Sequence, residues 1–109
     1  MHELSIAEEV VEMACRRAAG SRVARIVLHI GKLSAVLPEA VRFCFDICAE
    51  GTVAEGAVLE IFEPLGVAQC RACGGETKLE CPYGYCQCGS TDLDWIAGEE
   101  LTLEAVEVA

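Results

Sequence analysis

Between Cys70 and Gly89 lie five of the chain's eight cysteines and four of its ten glycines, with few large aliphatic side chains. A stretch this short and this poor in aliphatic groups cannot bury an apolar core of its own. Below about 40 residues a fold usually needs a metal or a disulfide to hold it. What cross-links these thiols therefore decides how this part of the chain folds.

Cys70-Arg71-Ala72-Cys73-Gly74-Gly75 is a C-x-x-C pair followed by glycines. In a zinc knuckle two such thiolates grip the ion from a tight turn, and the glycines let the backbone curl until its amides face the sulfurs. Cys86-Gln87-Cys88-Gly89-Ser90 is a second cluster. Two turns facing each other supply four thiolates, the closed tetrahedral set of structural zinc. The second spacing is C-x-C, one residue short of the usual knuckle, and Cys81 lies between the clusters. Two ligand sets follow: Cys70, Cys73, Cys86 and Cys88, or the same with Cys81 in place of Cys86. The first is preferred, because Tyr83 to Ser90 reads as one hairpin turn. A redox dithiol is the competing reading of the C-x-x-C. Such a pair usually opens a helix, and Gly74-Gly75 makes a poor helix start. Cys15, Cys44 and Cys48 fall on helix faces and read as small buried apolar groups.

The compartment bears on the same choice. Glu3, Glu8 and Glu9 stand where a signal peptide would carry its basic segment, so a cytoplasmic protein with reduced thiols is expected. Although 53% of residues are hydrophobic, no apolar run approaches the roughly 20 residues that span a bilayer, and no membrane role is expected. The net charge of −10 opposes a sequence-independent grip on nucleic acid and suits cations or a basic protein partner.

Outside the cysteine-rich stretch the patterning is that of a small α+β domain. Leu4, Ala7, Val11, Ala14, Cys15 and Ala18 recur at spacings of three and four, predicting a helix over Ser5 to Ala19 with Ser5 and Glu8 as a capping box. Alternation predicts a strand over Val23 to Ile30. Pro38 opens a second helix that runs to about Ala49. Strands are expected over Val58 to Glu63 and Leu101 to Val108, the last with a bulge near Glu104 or Ala105. The expected organisation is an α/β domain of residues 1–65 and 99–109, interrupted by an inserted zinc-binding domain of residues 66–98.

The N-terminus carries a second constellation. His2 sits beside the α-amine, and a bulky second residue protects Met1 from removal. The amine, the backbone amides of His2 and Glu3, and the His2 imidazole are compact nitrogen donors that suit square-planar Ni(II) or Cu(II). Zn(II) gains nothing from planarity. The other histidine, His29, reads as a partly exposed strand residue.

Taken together, Met1-His2-Glu3-Leu4-Ser5 opening a helix, Ile30-Gly31-Lys32-Leu33 ending a strand, Cys70-x-x-Cys73, Cys88-Gly89-Ser90 and Gly98-Glu99-Glu100-Leu101 resemble the HypA/HybF family of nickel-insertion accessory proteins, over essentially the whole chain. The resemblance implies a three-stranded sheet with two helices and a small inserted zinc-ribbon-like domain built on four cysteines. It implies Ni(II) bound transiently at Met1, His2 and Glu3, with His2 as the side-chain ligand, and structural Zn(II) at Cys70, Cys73, Cys86 and Cys88. It further implies maturation of nickel-iron hydrogenase, and in some bacteria of urease. The implied partners are a GTP-hydrolysing nickel chaperone and the hydrogenase large-subunit precursor, with the chain itself a monomer or homodimer. Some relatives add a carboxylate near the start of the second helix. Here that region reads Val36-Leu37-Pro38-Glu39, with no acid at the matching position, and the role is not carried over.

Two other readings compete. A zinc-ribbon module for protein interaction or nucleic-acid association would need the four thiolates alone, but the acidic charge opposes nucleic acid. An enzyme with catalytic zinc needs an open coordination position, which four thiolates do not leave. No catalytic residue is expected.

Overall fold

The computed structural model describes residues 3–109. Eight elements follow one another: α1 (Glu3–Ala18), β1 (Val23–Ile30), α2 (Pro38–Ala49), β2 (Val58–Phe62), β3 (Gly66–Cys70), β4 (Glu76–Leu79), β5 (Leu93–Ala97) and β6 (Leu101–Val108). They form two three-stranded sheets, ordered β2-β1-β6 and β4-β3-β5. The architecture is α+β, as the sequence predicts.

The chain divides into two compact units: residues 1–28, 36–61 and 102–109, and residues 29–35 and 62–101. The first holds both helices. α1 buries Ile6, Ala7, Val10, Val11, Ala14 and Ala18, a stripe at helical spacing. The stripe is rotated from the one periodicity suggests, with Ile6 and Val10 inside and Leu4 48% exposed. The helix already includes Glu3, so Ser5 and Glu8 lie within it and do not form the expected cap. α2 buries Val41, Phe45 and Ala49, one residue per turn. Pro38 stands at its first turn, where a missing N–H costs nothing. The strands of this unit bury Val23, Ile26, Leu28, Leu59 and Leu103. Across the sheet, the Arg25 guanidinium on the central strand pairs with Glu60 of β2 and Glu107 of β6. Both partners raise its pKa, chiefly by accepting its hydrogen bonds, Glu60 first and then Glu107.

The second unit carries the cysteine-rich stretch on three strands that the sequence patterning does not foresee. β3 pairs antiparallel with β4, with Gly66 opposite Leu79, and with β5, with Cys70 opposite Leu93. A small core of Leu33, Ala68 and Leu79, with Leu93 packed against it, lies in this unit. Leu33 comes from the segment after β1. That segment is tied down by backbone hydrogen bonds from Gly31 to Glu100, Lys32 to Pro64 and Leu33 to Gly98, at 2.7, 2.9 and 2.7 Å. Gly98 adopts φ +114°, and a Cβ there would lie 2.5 Å from the Gly66 Cα. Only glycine satisfies both conditions.

Among the described residues no helix is long and apolar enough to cross a membrane.

Candidate metal centre

β3 ends at Cys70, and the chain turns at once. The Gly74 amide donates to the Cys70 carbonyl at 2.9 Å, and the Cys70 amide donates to the Gly75 carbonyl at 2.8 Å. This tight turn brings Cys73 back beside Cys70. The second turn is built the same way from Cys86 to Ser90. The Gly89 amide donates to the Cys86 carbonyl at 2.8 Å, and the Cys86 amide to the Ser90 carbonyl at 2.9 Å. Gly89 has φ +92°, which lets a C-x-C spacing close into a knuckle. Arg71 anchors the first turn to β5 through its amide on the Asp92 carbonyl at 3.0 Å and its guanidinium on Asp94 at 2.6 Å.

These turns gather Cys70, Cys73, Cys86 and Cys88, whose sulfurs all lie within 4.8 Å of one another. Cys70 and Cys88 are 3.7 Å apart across the centre, and Cys73 and Cys86 are 3.5 Å apart. Four sulfurs at about 2.3 Å from one tetrahedral zinc would be about 3.8 Å from each other. The observed spacing fits that polyhedron, and all four cysteines are free thiols. Cys81 is not among the four; its thiol donates to the Tyr83 carbonyl at 3.1 Å.

The electrostatics of the group point the same way. The Cys73 amide, helped by the Ala72 amide and the neighbouring sulfurs, lowers the Cys70 thiol to about 6 against the pull of burial. The Gly75 amide, 3.4 Å from the Cys73 sulfur, pulls that thiol down, but hydrogen bonds with Cys86, Cys88 and Cys70 and burial together push it up to about 11. One thiolate is thus stabilised at neutral pH, while the next is resisted by its neighbours. Four thiolates at this spacing need a cation among them, and a soft divalent ion such as Zn(II) meets that need. Two of the cysteines are buried and two exposed, so the site lies at the surface with its inner half protected.

The family profile described as "Hydrogenase/urease nickel incorporation, metallochaperone, hypA" matches residues 1–108. The chain belongs to the HypA family. A HypA relative named hydrogenase maturation factor, from Trichormus variabilis, is 56% identical over 99% of this chain and 96% of its own length. One of the same name from a Geobacter species is 46% identical over 99% of each chain. Among solved structures, the Ni metallochaperone HypA from Helicobacter pylori matches with a TM-score of 0.68 and 25% identity, covering 99% of this chain and 97% of that one.

Of the N-terminal residues that the HypA resemblance assigns to nickel, Met1 and His2 lie outside the described residues. Glu3 is the first residue of α1, and its Oε2 is 3.5 Å from the Leu37 amide at the start of α2. Leu37, the N-cap, has no side-chain cap of its own. His29 is half-buried, with its ring edge-to-face on Phe62 at 5.7 Å between centroids. What sequence reasoning misses is the strand frame of the knuckles. Arg71, Asp92 and Asp94 carry a readable signal only once Cys70 and Leu93 are known to face each other.

Proposed function

We propose that this chain is a nickel metallochaperone that receives Ni(II) through His2, Met1 and Glu3 and delivers it in the cytoplasm for maturation of nickel-iron hydrogenase, with urease as a second recipient. The match to the HypA family over residues 1–108 carries this reading. The partners it calls for are a GTP-hydrolysing nickel chaperone, which supplies or releases the ion, and the hydrogenase large-subunit precursor, which accepts it. The task is transfer, not catalysis. A terminal site offers donors that an acceptor replaces one at a time, so the ion is held firmly and still released. Those donors lose protons on binding, so Ni(II) affinity falls as pH drops.

Cys70, Cys73, Cys86 and Cys88 would hold Zn(II) permanently, and the donor chemistry fits: soft thiolates at tetrahedral spacing with no open position. The zinc supplies cross-linking to a unit whose own apolar core is small. The test is Ni(II) titration of the untagged chain beside His2→Ala, with zinc measured in both. The expected result is at least a tenfold loss of Ni(II) affinity with one zinc per chain retained. Unchanged Ni(II) uptake in the variant would end the reading.

A further inference from the structure

α2 has two apolar faces, with Arg42 and acidic residues on a flank between them. Its inner face is the buried row Val41, Phe45 and Ala49. Its outer face carries Phe43, 69% exposed, and Ile47, 52% exposed, one turn apart, with Ala40 and Cys44 beside them. At about 3.6 residues per turn, positions 40, 43, 44 and 47 form one continuous stripe. An amphipathic helix normally turns charge to solvent, so an exposed aromatic and aliphatic pair one turn apart on its outer face marks a surface suited to a partner. The acids are placed along the stripe's edge, not on it. Glu39, Asp46 and Glu50 are exposed on one flank, where Arg42 pairs with Glu39 at 3.8 Å. On the other, Glu8 of α1 lies near enough to Cys48 to reinforce the upward shift that burial imposes on that thiol.

We propose that the outer face of α2 is a docking stripe for a different protein, one that presents an apolar groove edged with lysine or arginine. The spacing is that of a helix laid into a groove, with anchors at i, i+3, i+4 and i+7. Charge chooses the occupant. A second copy of this chain would bring acid against acid, and each chain carries a net charge of −10. A basic rim instead meets Asp46 and Glu50, speeding encounter and fixing orientation. Phe43 is the expected anchor, since a large aromatic group near the centre of an interface carries most of its energy.

The experiment places a photo-cross-linking amino acid at position 43, 47 or, as a control on an exposed strand position, 24, in the full chain within the cells that make it. The cross-linked protein is identified by mass spectrometry, purified and titrated with the zinc-loaded chain and with Phe43→Asp/Ile47→Asp. Far-ultraviolet circular dichroism and zinc content verify that the variant is folded; Phe43→Ser replaces it if it is not. The expected result is adducts at 43 and 47 but not 24, all to one protein other than this chain. Its affinity falls at least tenfold in the variant and at least fivefold between low and high salt. Adducts to a second copy, adducts equally frequent at 24, no adducts, or a partner that binds the variant as tightly as the parent would each overturn the proposal.

Discussion

The thiols at the centre differ although their chemistry is the same. Cys70 receives amide hydrogen bonds at the end of β3 and is lowered to about 6, while Cys73 is crowded by three other sulfurs and raised to about 11. A lowered thiol contributes stability that is complete above its ordinary value of about 8.5 and lost as pH falls through its folded value. A raised thiol contributes below its ordinary value and loses that contribution as pH rises through its folded one. Cysteine choice gives a prediction at this scale. Cys86→Ala should lower zinc affinity by more than tenfold, whereas Cys81→Ala should leave it within twofold, because the Cys81 thiol is turned to the Tyr83 carbonyl. Zinc analysis of both purified variants decides it. The choice between the two was open in the sequence, where spacing alone argues weakly; the closed turn at Gly89 is what brings Cys86 into the group.

At the scale of elements, the helices were legible and their details were not. Proline position and apolar periodicity locate α2 as Pro38–Ala49, because both act within one or two turns of chain. α1 begins before the residue its apparent cap suggests, since a Ser-x-x-Glu pattern is common inside helices and becomes a cap only where the backbone starts to coil. Phe45, 1% exposed, joins α2 to its core. Phe45→Ala should cost about 3–5 kcal/mol, by loss of burial and by the cavity left behind. Denaturant unfolding measures it, and a cost below about 1 kcal/mol would show that the site collapses around the gap. The strands β3, β4 and β5 escaped sequence reading for the opposite reason. They are four or five residues long, too short for alternation to register, and in β5 the apolar residues Trp95 and Ile96 stand exposed and do not alternate with polar ones.

For the molecule as a whole, the two units differ in what holds them. The first buries two helices' worth of apolar surface. The second has Leu33, Ala68, Leu79 and Leu93 and the four thiols. Removing metal with a chelator should therefore melt β3, β4 and β5 while helical circular dichroism stays within about a tenth of its starting value. Amide resonances lost on chelation should fall within residues 62–101. Loss of the helical signal together with the sheet would mean that one cooperative unit unfolds, and that the inserted domain expected at residues 66–98 does not stand apart.

Much of this was decided locally. Two C-x₁₋₂-C pairs with adjoining glycines specify thiolate knuckles, since the turn that aims two sulfurs at one ion is built from neighbouring residues. The helix stripes follow in the same way from spacing along one segment. Tertiary structure alone decided which five-residue runs pair as strands, that Leu33 joins the second unit's core, and that Gly98 stands against Gly66. Those outcomes depend on segments tens of residues apart meeting in space. A backbone approach with no side chain between leaves no pattern in either segment until the other is beside it.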